Sequence, residues 1–394
     1  MTGPPTGAGV STEKTGPLAG LKVIEMAGLG PVPLAALMLS EMGAEVLRIE
    51  RADAGGSLLN LPEEYDLDRH GRSILKLDLK RPAGAELLLR LAAGADLLVE
   101  GFRPGVMERL GLGPDVLFQR NPALVYGRLT GFGQDGPLSG QAGHDITYLA
   151  YAGLLHAIGR RGAPPVPPLN LVADQGGGAM MLVAGVLAAL FQRSLTGKGQ
   201  VIDASMTEGA SMLAAPIHAY MAAGLWNDRR GENLLDSGAP FYDTYETQDG
   251  KHIAVGCLEP RFFTEFARLL PLDGLFVGGQ YDKSLWPAMR AAIAGRVKEK
   301  TRDEWAELFA ATDACMAPVL SLVEARHHPH NRARQSFVKS GRLERPAPAP
   351  RFSQGPQVLA AVPTAADRQP AGILARLGLS EQEIEALAKA GVLG

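Results

Sequence analysis

The chain has 394 residues and 41.6 kDa, with 46% hydrophobic and 21% charged residues and a mean hydropathy of +0.02, the texture of a globular protein of about two or three domains. A net charge of −3 and a pI near 6.3 exclude a general nucleic-acid or membrane-surface binder. Two cysteines, Cys257 and Cys315, lack zinc-ligand spacing, exclude a disulfide framework and suit a reducing cytosol.

Residues 1–16 are rich in Gly, Pro and Thr without an apolar h-region, and are expected as a disordered lead-in rather than a signal peptide. Strand and helix patterns then alternate. Lys22–Met26 and Glu45–Glu50 read as strands, with a helix over Leu34–Met42 between them that Gly43 ends. The pattern recurs as strand Ser73–Leu79, helix Pro82–Ala93 and strand Asp96–Glu100, with a further strand at Leu124–Leu129. Right-handed βαβ units of this kind give an open parallel sheet, a Rossmann-like α/β fold whose ligand sits beyond the carboxyl ends of the strands.

After Gly143 the texture changes. Pro164–Pro168 is extended, and Gly176-Gly177-Gly178 precedes an apolar helix whose longest run, Ala179–Phe191, is short for a bilayer span. A turn at Thr196–Gly199 and a strand at Gln200–Ser205 follow, then a helical stretch over about 206–235. The next region mixes the strand Lys251–Gly256 with helices at Arg261–Leu270, Ser284–Ala294 and Thr301–Ala311. Pro346–Pro350 is an extended linker, and the last helix carries the capping box Ser380-x-x-Glu383 with Gly391 at its end. The C-terminus bears no peroxisomal or retention tag, so a cytoplasmic location without a membrane or nucleic-acid partner is expected.

Gly28-x-Gly30-x-x-Pro33, with Glu50 downstream, imitates a dinucleotide fingerprint, but Pro31 and Pro33 remove two amide donors from the phosphate loop. The bare scaffold is the favoured reading. His327-His328-Pro329-His330 reads as a solvated loop rather than a metal site, and Glu63–Asp68 as a solvated acidic face. Arg69, Arg72, Lys76, Lys80 and Arg81 gather five positive charges, with Arg51, Arg103 and Arg109 after strand ends; a cationic rim of this kind suits a polyphosphate. His144, Asp174 and Glu259 are acid/base candidates. Asp174 and Glu259 also fit helix caps and His144 a loop histidine, and spacing alone does not place them together.

Pro17–Glu25 (PLAGLKVIE), Gly43–Glu50 (GAEVLRIE), Asp96–Val106 (DLLVEGFRPGV), Thr130–Gln134 (TGFGQ) and Gly197–Gln200 (GKGQ) resemble the class III CoA-transferase (CaiB/BaiF) superfamily over nearly the whole chain. Within it, transferases usually carry tyrosine where this chain has His144. Gly143–Asp145 (GHD), Pro167–Asp174 (PPLNLVAD) and Gly238–Tyr245 (GAPFYDTY) resemble the superfamily's racemases instead. The resemblance implies His144 and Asp174 as a catalytic pair, with Glu259 hydrogen-bonding the histidine. It implies CoA contacts at Arg51, Leu77, Asp78, Leu79, Lys80, Gly101, Phe102, Arg103, Arg109, Gly143, Asp145, Ile146, Thr147 and Tyr148. It also implies a large CoA-binding domain from 17 to 205, a linking helix over 206–237, a small α+β domain over 238–326, and a return to the large domain over 327–394. An interlocked homodimer completes each site between one subunit's large domain and the other's small domain. Ser237 stands where the racemases usually have Gly, Gln175 replaces an aromatic residue, and Cys257-Leu258 replaces a smaller pair; these bear on the shape of the acyl pocket.

The implied reaction interconverts the (2R) and (2S) forms of a 2-methylacyl-CoA thioester through an enolate, with His144 and Asp174 on opposite faces of the α-carbon. Backbone N–H groups near Asp174 and the glycine run are expected to hold the enolate oxygen, and Glu259 to fix the imidazole tautomer. No metal or separate cofactor is required, since CoA is part of the substrate. The alternative is CoA transfer between carboxylic acids through an Asp174-bound intermediate. A non-catalytic CoA-binding module ranks behind both.

Overall fold

Strands such as Leu97–Glu100 (LLVE) carry apolar side chains on successive residues rather than alternate ones, as a sheet covered on both faces requires. The computed structural model describes residues 15–52, 61–355 and 358–394, so most of the expected lead-in lies outside the described residues. The chain divides into two units, Met1–Ala152 with Leu169–Leu213 and Gln335–Gly394, and Gly153–Pro168 with Ala214–Arg334.

The first unit opens with β1 (Lys22–Met26), α1 (Pro31–Glu41), β2 (Glu45–Arg51), β3 (Arg72–Leu77), α2 (Pro82–Ala93) and β4 (Leu97–Glu100). It continues through α3 (Val106–Arg109), α4 (Pro114–Arg120), β5 (Val125–Thr130) and α5 (Asp145–Tyr151). A π-helical segment, Leu171–Met180, then runs into α7 (Met181–Thr196), followed by β6 (Val201–Ser205) and α8 (Met206–Leu213). The six strands pair in parallel in the order β3-β2-β1-β4-β5-β6. The order reverses between β1 and β4, which opens a crevice at the carboxyl ends of these two strands. Helix α1 starts at Pro31, ahead of the expected Leu34, because proline at a first position loses no hydrogen bond. Strand β3 stops at Leu77 because Asp78 turns the chain, its carboxylate accepting the Lys80 amide at 3.1 Å.

The largest departure from expectation is the long helix. The glycine run does not precede it but lies inside it, in the π-helical turns. Packing explains the glycines: a Cβ on Gly177 would lie 2.5 Å from the Ala210 amide nitrogen, and one on Gly209 would overlap the Gly177 carbonyl. On the sheet side, Gly127 of β5 leaves room for Leu182 and Val186. The resulting 26-residue helix is long and apolar enough to cross a membrane by length and composition alone. Ala179, Leu182, Val183, Val186 and Ala189 bury one stripe of it, whereas Met180, Phe191 and Leu195 are 50%, 67% and 72% exposed.

Part of the expected cationic rim turns inward. Arg72, at the amino end of β3, is fully buried and donates to Glu25 at 3.1 Å and to the His70 carbonyl at 2.6 Å. Arg69 pairs with Glu50 at 2.6 Å, whereas Arg81 stays exposed and pairs with Asp78 at 3.2 Å. Nor is Glu63–Asp68 a solvated face, since Asp66 is buried and Glu63 pairs with Arg368. For Arg69 and Arg72 the cause is the buried carboxylates of Glu50 on β2 and Glu25 on β1, which require cations beside them.

The second unit holds α6 (Leu154–Ala157), α9 (Ala215–Ala222), and an antiparallel sheet of β7 (Tyr242–Glu246), β8 (His252–Gly256) and β9 (Met316–Pro318). Helix α10 (Pro260–Leu269) packs Phe263 and Phe266 into a core with Phe241, Trp286 and Trp305. The single linking helix expected over 206–237 is two helices, α8 and α9, parted just before Pro216, whose ring cannot continue α8. His327–His330 is not a loop but joins two short helices, Leu322–His327 and Pro329–Ala333. Ser237 adopts a left-handed φ of 71°, a conformation glycine takes at less cost; Arg290 grips its carbonyl at 2.7 Å. The close helix crossing yields a test: Gly209→Ala should cost about 2–3 kcal/mol in urea unfolding through overpacking.

Candidate active site

The loop after β5 is shaped by a tyrosine. Gly131 and Gly143 pack so closely on the Tyr148 ring that a Cβ on Gly143 would sit 2.5 Å from it. This delivers His144 to the N-cap of α5, where the Thr147 hydroxyl accepts its amide at 2.9 Å and donates to its carbonyl at 2.7 Å. The imidazole itself is exposed. The next side chain, Asp145, turns inward and is only 4% exposed. Its Oδ2 accepts the amides of Ala173 and Asp174, both at 2.8 Å. These belong to the first turn of the π-helical segment, whose amides have no partner within the helix. Asp145 therefore joins the His144 loop to the turn that carries Asp174.

Asp174 is not an N-cap, a position that Asn170 takes. Its half-buried carboxylate points to the crevice between β1 and β4, where a Cβ on Gly30 would lie 4.0 Å from Oδ2. A negative charge beside this glycine loop opposes a dinucleotide pyrophosphate there. Burial, and secondarily the charge of Asp145, push the Asp174 carboxyl above the ordinary aspartate range; the Asn170 amide, 3.5 Å away, and the charge of His144 oppose the rise. The first unit thus brings His144 and Asp174 into one site. Glu259 belongs to the second unit, at the N-cap of α10, with its carboxylate exposed and unused for capping; its charge reaches Tyr281 and Cys315.

One expectation fails. The amides of Ala173 and Asp174 are engaged by Asp145, and the glycine-run amides lie in the i→i+5 bonding of the π-helix, so neither set is open to an enolate oxygen.

The remaining candidates lie along the carboxyl edge of the sheet. Arg51 ends β2; Asp78, Leu79 and Lys80 follow β3; Gly101, Phe102 and Arg103 follow β4; and Arg109 closes α3. Arg51, Lys80, Arg103 and Arg109 are exposed, and the charge of Arg103 reaches the Tyr148 hydroxyl. Leu77 is a core residue, 1% exposed and bridged to Leu393, so only its backbone can serve a ligand. On α5, Ile146 and Thr147 are exposed and Tyr148 is buried. Sequence reasoning missed the strut beneath this edge. Buried Glu100 accepts the Phe102 amide at 2.6 Å and Arg128 at 2.9 Å, and Arg128 reaches Glu108 at 2.8 Å. The available signal was a charge in the middle of a buried strand, Arg128 within VYGRLT.

Residues 18–372 match CoA-transferase family III. The chain belongs to that family. Family III relatives include the alpha-methylacyl-CoA racemase of Mus musculus, 46% identical over 93% of this chain and 95% of that protein, and that of Homo sapiens, 45% identical over 86% and 88%. A solved CAIB/BAIF family protein from Brucella suis superposes with a TM-score of 0.76 at 25% identity, covering 92% of this chain and 99% of that one. The parallel α/β architecture expected from the sequence is therefore that of family III. One measurement checks the electrostatics of the site: carbon-13 titration should place Asp174 above an ordinary aspartate, and Asn170→Ala should raise it further by removing an opposing donor.

Proposed function

We propose that the protein is a racemase that interconverts (2R)- and (2S)-2-methylacyl-CoA thioesters by proton transfer at the α-carbon. The observation that carries this reading is the assembly of an imidazole and a raised-pKa carboxyl in one crevice by the Asp145 link. In one direction the Asp174 carboxylate takes the α-proton and imidazolium His144 returns one to the opposite face; in the other the roles exchange. The thioester carbonyl stores the electron pair as an enolate between the two steps. With the amides of Ala173 and Asp174 committed, and those of Thr147 and Tyr148 donating to the His144 carbonyl, that oxygen calls for a donor from elsewhere in the crevice. A positioned acid or base of this kind contributes about 10²–10⁴ in rate. CoA is part of the substrate, and its phosphates suit the exposed arginines and Lys80 at the sheet edge. Proton transfer between a carboxyl and an imidazole requires no metal or separate cofactor.

The exposed apolar stripe of Met180, Phe191 and Leu195, continued by Leu169 and Leu171, supports an interlocked homodimer. A lipid partner suits it less, because the opposite stripe is packed against an open sheet, which has no place within a bilayer. In that dimer Glu259 of a partner subunit would orient His144 and fix its tautomer. A cytoplasmic location fits the two free cysteines.

Incubation with a single 2-methylacyl-CoA epimer in deuterated buffer, without acceptor acid, tests the chemistry. Racemisation with deuterium at the α-carbon is expected, falling at least about 100-fold in His144→Ala or Asp174→Ala. Absence of deuterium, with CoA exchange once an acid is added, would instead indicate a transferase acting through Asp174. Sedimentation should give a particle of about twice 41.6 kDa.

A further inference from the structure

Asp145 takes no part in the proton transfer described above, yet its side chain is the most committed at the site. One carboxylate oxygen receives two amides, and the other, Oδ1, is buried without a hydrogen-bond partner among the described residues. Hydrogen bonding alone does not call for this residue. An asparagine could accept the same two amides with its carbonyl oxygen, so what aspartate adds is charge. A buried carboxylate with a bare oxygen is costly, and the cost implies a use.

The charge falls on Asp174. A carboxylate in the first turn of a helix ordinarily feels the positive end of the helix dipole, which favours ionisation. Here Asp145 occupies that end first. The other groups around Asp174 do not replace it. From α5 come His144 and Tyr148, and from its own turn the uncharged Asn170. Helix α1 carries only Glu41, in its last turn; α8 carries only Glu208, exposed; α7 carries only Arg193, paired with Asp96 at 2.9 Å; β5 carries Arg128, held by Glu100 and Glu108; β6 carries Asp203, which accepts the Gln134 amide; and Arg103 lies beside Tyr148.

We propose that Asp145 is a positioning residue that serves Asp174 twice: its two accepted amides fix the carboxyl's place, and its carboxylate takes the helix-terminal position and sets a negative charge beside that of Asp174. The proposal rests on the racemase reading for its catalytic meaning, but not for its test. Asp145→Asn keeps the acceptor and removes the charge. Carbon-13 aspartate spectra, with Asp174 assigned through Asp174→Asn, should show Asp174 titrating at lower pH in the variant. The low-pH limb of kcat/KM should move the same way, and turnover at neutral pH should fall about tenfold. Asp145→Ala should show the same titration change and a loss nearer 100-fold, because the turn itself loosens. An unchanged Asp174 midpoint in Asp145→Asn would overturn the proposal. If the variants do not fold, amide exchange in the wild type decides: Ala173 and Asp174 should be protected, and free-peptide exchange rates there would overturn it. Because the carbon-13 titration and the amide exchange need no turnover, a wild type that exchanges no α-proton would count against racemisation alone.

Discussion

Two hydrogen bonds of 2.8 Å from the amides of Ala173 and Asp174 to one oxygen of Asp145 hold the site together. They close a gap of 29 residues between the loop that ends in His144 and the turn that carries Asp174. They also supply what the long helix lacks at its start, an acceptor for first-turn amides and a negative charge at the positive end of its dipole. Helix stability and site geometry are thus served by the same carboxylate.

The sheet provides the frame for this link. Its strand order turns at β1 and β4, so the Gly30 loop and the Gly101–Arg103 loop face one crevice. Both loops are tied from below by buried charge. Arg72 binds Glu25 and the Pro33 carbonyl beneath the first, and the Glu100–Arg128–Glu108 chain fixes the Phe102 amide beneath the second. Breaking one partner of such a buried pair strands the other charge, typically at a cost of about 3–5 kcal/mol. The frame therefore resists the small displacements that would separate the acid from the base.

Much of this was legible in the chain. β1 was read to the residue and the other sheet strands nearly so, because continuous apolar runs between proline-started helices allow few alternatives. His144 and Asp174 stood out as ionisable residues beside glycines. What periodicity could not reveal was long-range. The glycines at 176–178 resemble a loop until Gly209 is known to lie against them, and Arg69 and Arg72 resemble a solvated basic run until Glu50 and Glu25 are seen beside them. The resemblance implied Asp145 as a ligand contact, and no local pattern disclosed that its side chain also holds an amide 29 residues away.

The π-helical turns give the site an unusual sensitivity to chain length. Each residue of an α-helix advances the side-chain direction by about 100°, and the wider i→i+5 turns between Leu171 and Met180 set the phase between Asp174 and the buried stripe of α7. Deleting one residue there would keep the composition and the apolar character of the helix, yet swing the carboxylate away from the Gly30 crevice. Within this stretch the spacing is functional information, and a shortened chain would lose the alignment of the reacting group.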